Sequence, residues 1–152
     1  MKEKERELNN KADKADREVR AKVEKFLAKC KTVFMATNGS HGHPNVRGMM
    51  PLRVDGAETL WFITDLDSSK IIELVKDNKA VLYAYEPRTL VECRLWGTIV
   101  ILEDAASIRQ IWSDSLKKYF DGPDDPRIRV LRFDAANGVY CGKDHTAIEF
   151  NN

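Results

Sequence analysis

From Thr32 to Phe150 the chain is a succession of short β-branched and aromatic runs separated by turn signals, a pattern that restricts it to an antiparallel sheet fold. Thr32 to Thr37 is extended and apolar and stops at Asn38-Gly39-Ser40. Asn45 to Val54 is a second extended run, closed by Asp55-Gly56, and Thr59-Leu60-Trp61-Phe62-Ile63-Thr64 is a third. Two hairpins in succession predict a meander. Ala80 to Tyr85, closed by Pro87, and Leu90 to Leu102 predict two further strands, with Gly97 marking a bulge or bend in the second. Ile128 to Phe133 and Thr146 to Phe150 complete the set, with Val139-Tyr140 between them. Helical spacing interrupts the strands twice. Ile71, Ile72, Leu74 and Val75 follow a Ser68 or Ser69 cap, and Ile108, Ile111, Trp112, Leu116 and Tyr119 follow Glu103-Asp104. Gly122-Pro123-Asp124-Asp125-Pro126 predicts a rigid loop. The expected fold is mainly β (α+β), an antiparallel barrel of six or seven strands with peripheral helices, because closing the sheet removes its exposed edges.

Charge divides the chain near Lys31. Of 152 residues, 25 are Lys or Arg and 24 Asp or Glu, yet residues 1–31 alone hold 11 basic and 7 acidic side chains. This segment lacks Pro and Gly. Its apolar residues, Leu8, Ala12, Ala15, Val19, Val23, Phe26, Leu27 and Cys30, recur at steps of three and four. That spacing predicts a helix from about residue 4 to residue 30 whose last two turns dock on a body spanning 32–152. Its charges are mixed and no aromatic precedes Phe26, so neither nucleic-acid nor membrane binding is expected of it. No run approaches the roughly 18 apolar residues of a membrane span. Cys30, Cys93 and Cys141 are an odd number without a close pair, which fits a reducing cytoplasm better than a disulfide framework or a zinc site.

The most informative local segment is Thr64-Asp65-Leu66-Asp67-Ser68-Ser69-Lys70. A strand ends, a polar turn follows, and a helix opens with two hydroxyls and a lysine. Free N–H groups at a helix N-terminus hold phosphate well, and hydroxyls and an ammonium add donors and charge. Arg47 lies in the apolar run Val46-Arg47-Gly48-Met49-Met50-Pro51-Leu52, expected beside the Trp61 strand. It needs a counter-charge, which either an acid such as Glu58 or a phosphate at the Ser-Ser-Lys turn would supply. Gly48 leaves room for a flat ligand against the backbone, and Phe62-Ile63-Thr64 offers backbone groups beside an apolar wall. His41 and His43 read as a solvated hairpin tip. No Ser-His-Asp order, paired carboxylates or Gly-rich phosphate loop is present, so no catalytic side chain is assigned and no metal is expected.

Taken in order, Val46-Arg47-x-Met49, Leu60-Trp61-Phe62-Ile63-Thr64 and Ser68-Ser69-Lys70 resemble the FMN-binding split-barrel family of pyridoxamine 5'-phosphate oxidase-like proteins. Leu82-Tyr83-Ala84-Tyr85, Gly97 with Asp104, Trp112 and Gly122-Pro123-x-Asp125-Pro126 resemble its bacterial general stress protein subgroup. The resemblance covers roughly residues 22 to 150. It implies a split barrel that forms a homodimer with two flavin sites at the interface, and FMN ahead of FAD or a deazaflavin. By position, Arg47 and Lys70 would bind the phosphate with Ser68 and Ser69. Gly48, Met49, Phe62, Ile63 and Thr64 would line the rest of the cofactor, and Glu92 and Trp96 would come from the partner subunit or its edge. The implied activity is flavin-dependent oxidoreduction of a small molecule, with a non-catalytic stress-response or storage module as the alternative. The chain departs from the family in having Glu92 where Gln is common and Tyr140-Cys141 where an aromatic-Trp pair is common. It ends Ala147-Ile148-Glu149-Phe150-Asn151-Asn152, without the Arg- and His-bearing substrate motif of true pyridoxamine phosphate oxidases.

Overall fold

The computed structural model describes residues 1–152. A long helix, α1 (Lys2–Lys29), precedes a body of eight strands: β1 (Val33–Asn38), β2 (Pro44–Met49), β3 (Arg53–Asp55), β4 (Thr59–Asp65), β5 (Lys79–Glu86), β6 (Val91–Leu102), β7 (Ile128–Cys141) and β8 (Ala147–Asn151). Helix α2 (Ser69–Lys76) joins β4 to β5. Helix α3 (Ala105–Ile111) and a 3-10 turn (Asp114–Lys118) join β6 to β7. No helix is long and apolar enough to cross a membrane.

The strands form one antiparallel sheet in the order β2-β1-β5-β6-β7-β4-β3, with β8 beside the far half of β7. The expected meander is therefore replaced by two separate hairpins, β1–β2 and β3–β4, at opposite ends of the sheet. The run expected to be continuous from Asn45 to Val54 breaks at Met50-Pro51-Leu52, where Pro51 has no N–H for a ladder. That break has a geometric consequence. Seven strands side by side would span roughly 29 Å if flat, but the link from Met49 to Arg53 reaches at most about 14 Å. The sheet must roll until its two edge strands nearly meet, giving a barrel split between β2 and β3. The strand count is eight rather than six or seven because the run expected from Asn45 to Val54 divides into β2 and β3, while the run expected from Ile128 to Phe133 continues to Cys141 as one strand.

The barrel interior is filled by Met35, Leu60, Phe62, Leu82, Leu95 and Phe133, all almost fully buried, and by Val19, Val23 and Leu27 of α1. The apolar stripe of the arm thus docks at its end, as its spacing predicts, while residues 1–15 are exposed throughout. A second cluster, Ile108, Ile111, Phe120, Ile128 and Val130, lies on the outer side of β4 and β7. The helix expected to run on through Tyr119 ends at Ile111. Trp112 is extended, the chain continues as the 3-10 turn, and Tyr119 is left exposed. At Gly97 the β6–β7 register shifts. A Cβ there would stand 2.1 Å from the Asp134 carbonyl oxygen, so only glycine permits the bulge.

Candidate functional site

Strand β4 ends at Asp65, a turn closes through the Asp65 carboxylate and the Asp67 N–H, and α2 begins after Ser68. No side chain caps this helix: the Ser68 hydroxyl is 2.6 Å from Lys70 Nζ instead. The first-turn amides of Ser69 and Lys70 therefore keep no intrahelical acceptor. Lys70 folds back to donate to Ser68 Oγ and, at 2.9 Å, to Thr64 Oγ1. Both partners are hydroxyls and Lys70 is in no ion pair. Its half-burial pulls the ammonium below its ordinary value, the nearby Arg47 guanidinium adds to the shift, and Glu73 opposes it.

Arg47 is differently placed from expectation. Its strand neighbours β1 and not the Trp61 strand. Its counter-charge is Glu73 of α2, 3.2 Å away, while Glu58 pairs with Arg20 of α1. Glu73 is buried at the end of the barrel, where it also accepts from Thr37 Oγ1 and Asn45 Nδ2, and Arg47 donates to Thr37 Oγ1 at 2.6 Å. Burial alone would raise this carboxyl. The hydrogen bonds from Thr37, Asn45 and Arg47 outweigh it and hold the group below its ordinary value. Sequence reasoning missed Glu73. The signal available was an acid on the Ile71/Leu74 face of a short amphipathic helix, where a solvated residue is out of place.

A cleft of about 400 Å³ runs along the split in the barrel. Gly48, Met49, Ile63, Thr64 and Lys70 line it, which brings together five of the residues singled out from sequence. Asp65, from the end of β4, also lines it; Met50, Leu52, Leu116, Tyr119 and Phe120 complete the wall and were not anticipated, since they come from the strand break and from the 3-10 turn and the residues just after it. The pairing of β3 with β4 stops at Arg53 opposite Trp61, and Leu52 N–H reaches the Trp61 carbonyl at 2.8 Å. By alternation, Ile63 presents its N–H and C=O on that same side, where Pro51 cannot pair with it. The cleft thus offers backbone donor and acceptor groups beside apolar walls.

Other expected residues lie elsewhere. The Phe62 side chain is fully buried in the barrel core, so only its backbone can approach a ligand. Ser69 turns away into a shallow depression with Ile72, Lys76 and Asp77. Glu92 and Trp96 of β6 are outside the cleft in this chain. Glu92 accepts from the Tyr83 hydroxyl, a bond that together with burial pushes the Tyr83 pKa up to about 12. Trp96 lies across the sheet beside Val81, on the outer face. His41 and His43 are exposed at the β1–β2 hairpin, and no group of three His, Cys, Asp or Glu is arranged to hold a metal ion. All three cysteines are free thiols.

The family model for pyridoxamine 5'-phosphate oxidase-like proteins matches residues 18–151. The chain belongs to this family. The family match begins inside α1, at the turn where its buried face starts, so the docked turns belong to the shared domain. Among solved structures, this pyridoxamine 5'-phosphate oxidase-like chain is similar to a Clostridium acetobutylicum protein related to general stress protein 26 of Bacillus subtilis, of the pyridoxine phosphate oxidase family. Identity is 33%, the TM-score is 0.80, and the match covers 90% of this chain and 96% of that one. General stress protein 26 from Bacillus anthracis shares the fold at 20% identity and a TM-score of 0.74, covering 87% of this chain and 98% of the other. No curated protein matches the chain.

Proposed function

We propose that this protein binds FMN in the split cleft and acts as a flavin-dependent oxidoreductase on a small molecule. The observation that carries the reading is Lys70: a half-buried ammonium with only hydroxyl partners, beside the Arg47 guanidinium and the uncapped start of α2. Burying a cation without a carboxylate is costly, and a phosphate supplies the missing charge. Lys70 and the Ser68 hydroxyl would hold that phosphate with the free amides of α2. Arg47 would contribute mainly as a charge held in place by Glu73. Gly48 and Met49 would leave a flat ring access to the backbone, with Ile63 N–H and C=O available to the polar edge of the ring. The cleft volume falls in the range of roughly 300–1,000 Å³ usual for small-ligand sites. A bound flavin supplies the electron transfer, and the protein positions and tunes it.

A homodimer completes this reading. Phe34 of β1, Val46 of β2, Val81 of β5 and Trp96 of β6 lie on the outer face of neighbouring strands, and Phe34 and Val46 are 45% and 63% exposed. Two copies meeting through that face would cover it and bring the partner's outer face, with its Glu92 and Trp96 positions, towards the cleft. The three free thiols fit a reducing cytoplasm. One observation favours the alternative of a flavin-binding module without turnover: the only ionisable groups of the cleft besides Tyr119 are Lys70 and Asp65, and Asp65 is tied to Arg127 and its own turn. The visible spectrum of the purified protein, with the released cofactor identified by mass, tests binding. Stopped-flow reduction by NADH or NADPH separates the two functions. A colourless protein that takes up no FMN overturns both.

A further inference from the structure

The largest cavity is not the split cleft. A groove of about 940 Å³ lies between the last turns of α1, the β5–β6 turn and the β7–β8 turn, and shares no residue with the cleft. Six cations line it: Lys22, Lys25 and Lys29 from the end of α1, Lys31 just after it, Arg88 from the β5–β6 turn and Lys143 from the β7–β8 turn. The one acid is Glu86, which leaves a local charge of +5. None of the six stands in an ion pair. Every arginine on the body other than Arg88 and Arg94, by contrast, has a carboxylate partner.

This concentration runs against helix stability. Lys22, Lys25 and Lys29 repeat at i, i+3 and i+7 on one helix face, where like charges repel. The β5–β6 turn is also preset rather than loose. Leu90 adopts φ +61, a conformation unfavourable for a residue with a Cβ, and its N–H is held by the Glu86 carbonyl at 2.8 Å. Glu86 Oε1 accepts the Arg88 N–H at 3.0 Å, which occupies one oxygen of the groove's only carboxylate. Beneath the cations, Phe26 and Tyr140 meet edge to face at 6.3 Å, and Tyr85 is 43% exposed at the rim. A cleft lined by one sign of charge over low-dielectric walls focuses its field on an oppositely charged ligand.

We propose that this groove binds a ligand carrying a run of linked phosphates, a nucleoside polyphosphate or an inorganic polyphosphate. A single phosphate monoester, at roughly −1.5 to −2 charges, would leave most of the +5 uncompensated. Three elements border the open groove, and its volume of about 940 Å³ lies near the top of the small-ligand range of roughly 300–1,000 Å³. Six cations gathered around one groove, without successive stacking platforms along a track, favour a compact ligand over a nucleic-acid strand. The aromatic floor and the exposed Tyr85 ring give a base a surface to stack on, which inorganic polyphosphate would not use.

The test is calorimetric titration of the full-length protein, with and without FMN, using ATP, inorganic tripolyphosphate and a short single-stranded oligonucleotide at two ionic strengths. ATP or tripolyphosphate should bind once per chain, more weakly at higher salt. The K25E/K29E double variant should lose roughly 100-fold in affinity, taking about tenfold for each charge-assisted contact. K11E/K14E, on the same helix but outside the groove, should lose less than about threefold, as expected for screened surface charges. Tighter binding of ATP than of tripolyphosphate identifies a nucleotide, and equal binding identifies the phosphate chain alone. FMN uptake should be unchanged in K25E/K29E, which separates this groove from the flavin site. The proposal is overturned if neither small ligand binds saturably, if K25E/K29E binds as wild type does, or if only the oligonucleotide binds.

Discussion

Replacing Lys70 with methionine keeps the unbranched stem, one atom shorter, and removes the charge. In the unliganded protein two hydrogen bonds are lost, to Thr64 Oγ1 and Ser68 Oγ, each worth about 0.5–1.5 kcal/mol. Against this, the ammonium is half-buried without a carboxylate, and its desolvation cost disappears with it. The net change in stability should be about 1 kcal/mol or less, a melting shift of no more than about 4 °C for a chain of this size. With FMN bound, the lost contact is charge-assisted, worth about 1.5–3 kcal/mol, so FMN affinity should fall roughly 10- to 150-fold. Riboflavin has no phosphate and should lose less than about threefold. Flavin fluorescence quenching measures both affinities, and a melting curve of the unliganded protein checks the fold. The pH dependence has a definite sign. Because the folded-state value lies below the ordinary 10.5, the unfolded chain binds more protons between those values. The unliganded protein therefore gains stability from this group as pH rises through that window, while the phosphate loses its cation and FMN binding weakens. Equal losses for FMN and riboflavin would refute the phosphate assignment. A melting temperature lowered by more than about 10 °C would make Lys70 a structural residue.

Gly97→Ala should cost more than about 3 kcal/mol in urea unfolding, because its Cβ would meet backbone at 2.1 Å; a cost under about 1 kcal/mol would show that the bulge can shift. Glu73→Gln should lower the denaturation midpoint at neutral pH by leaving Arg47 without its carboxylate. Wild-type stability should fall as pH drops below the ordinary glutamate value of 4.5 and through the lowered folded value, and the variant should lack that loss. Identical acid profiles would remove Glu73 from the account. Deleting residues 2–15 should leave FMN uptake, dimer mass and melting temperature nearly unchanged. Deletion through Leu27 removes Val19, Val23 and Leu27, each worth about 1.5–3 kcal/mol when buried. Loss of flavin binding on the shorter deletion would place the arm in the functional core.

Much of the candidate site was legible because its parts are local. Ser68 and Lys70 are within one helical turn, and Thr64 lies next to the end of the strand that feeds it, so the backbone alone brings hydroxyl and ammonium together. Gly48 and Ile63 meet in the cleft only because the sheet rolls. Glu73 escaped notice for the opposite reason to Lys70. Its partners, Thr37, Asn45 and Arg47, lie on other elements, and no spacing along the chain reveals a contact between a helix and the floor of a barrel. Tyr119 was misassigned to a buried helical face because the apolar spacing continued past Trp112, where the backbone straightens.

Local chemistry by itself determined where most strands lie and turn, that Gly97 carries a bulge and that the arm docks by its last turns, although not the break at Pro51 or the length of β7. Each follows from side-chain period, turn residues or the presence of a Cβ, all of which act over a few residues. The order of the strands was a tertiary decision. Two hairpins adjacent in sequence occupy opposite edges of the sheet, and β5, β6 and β7 fill the space between them. Alternation says which face of a strand is buried, but not which strand lies beside it. Strand order follows from the packing of the barrel interior, whose inward residues come from the whole length of the body, together with the short Met50–Leu52 link. That roll also opens the split in which the cleft lies.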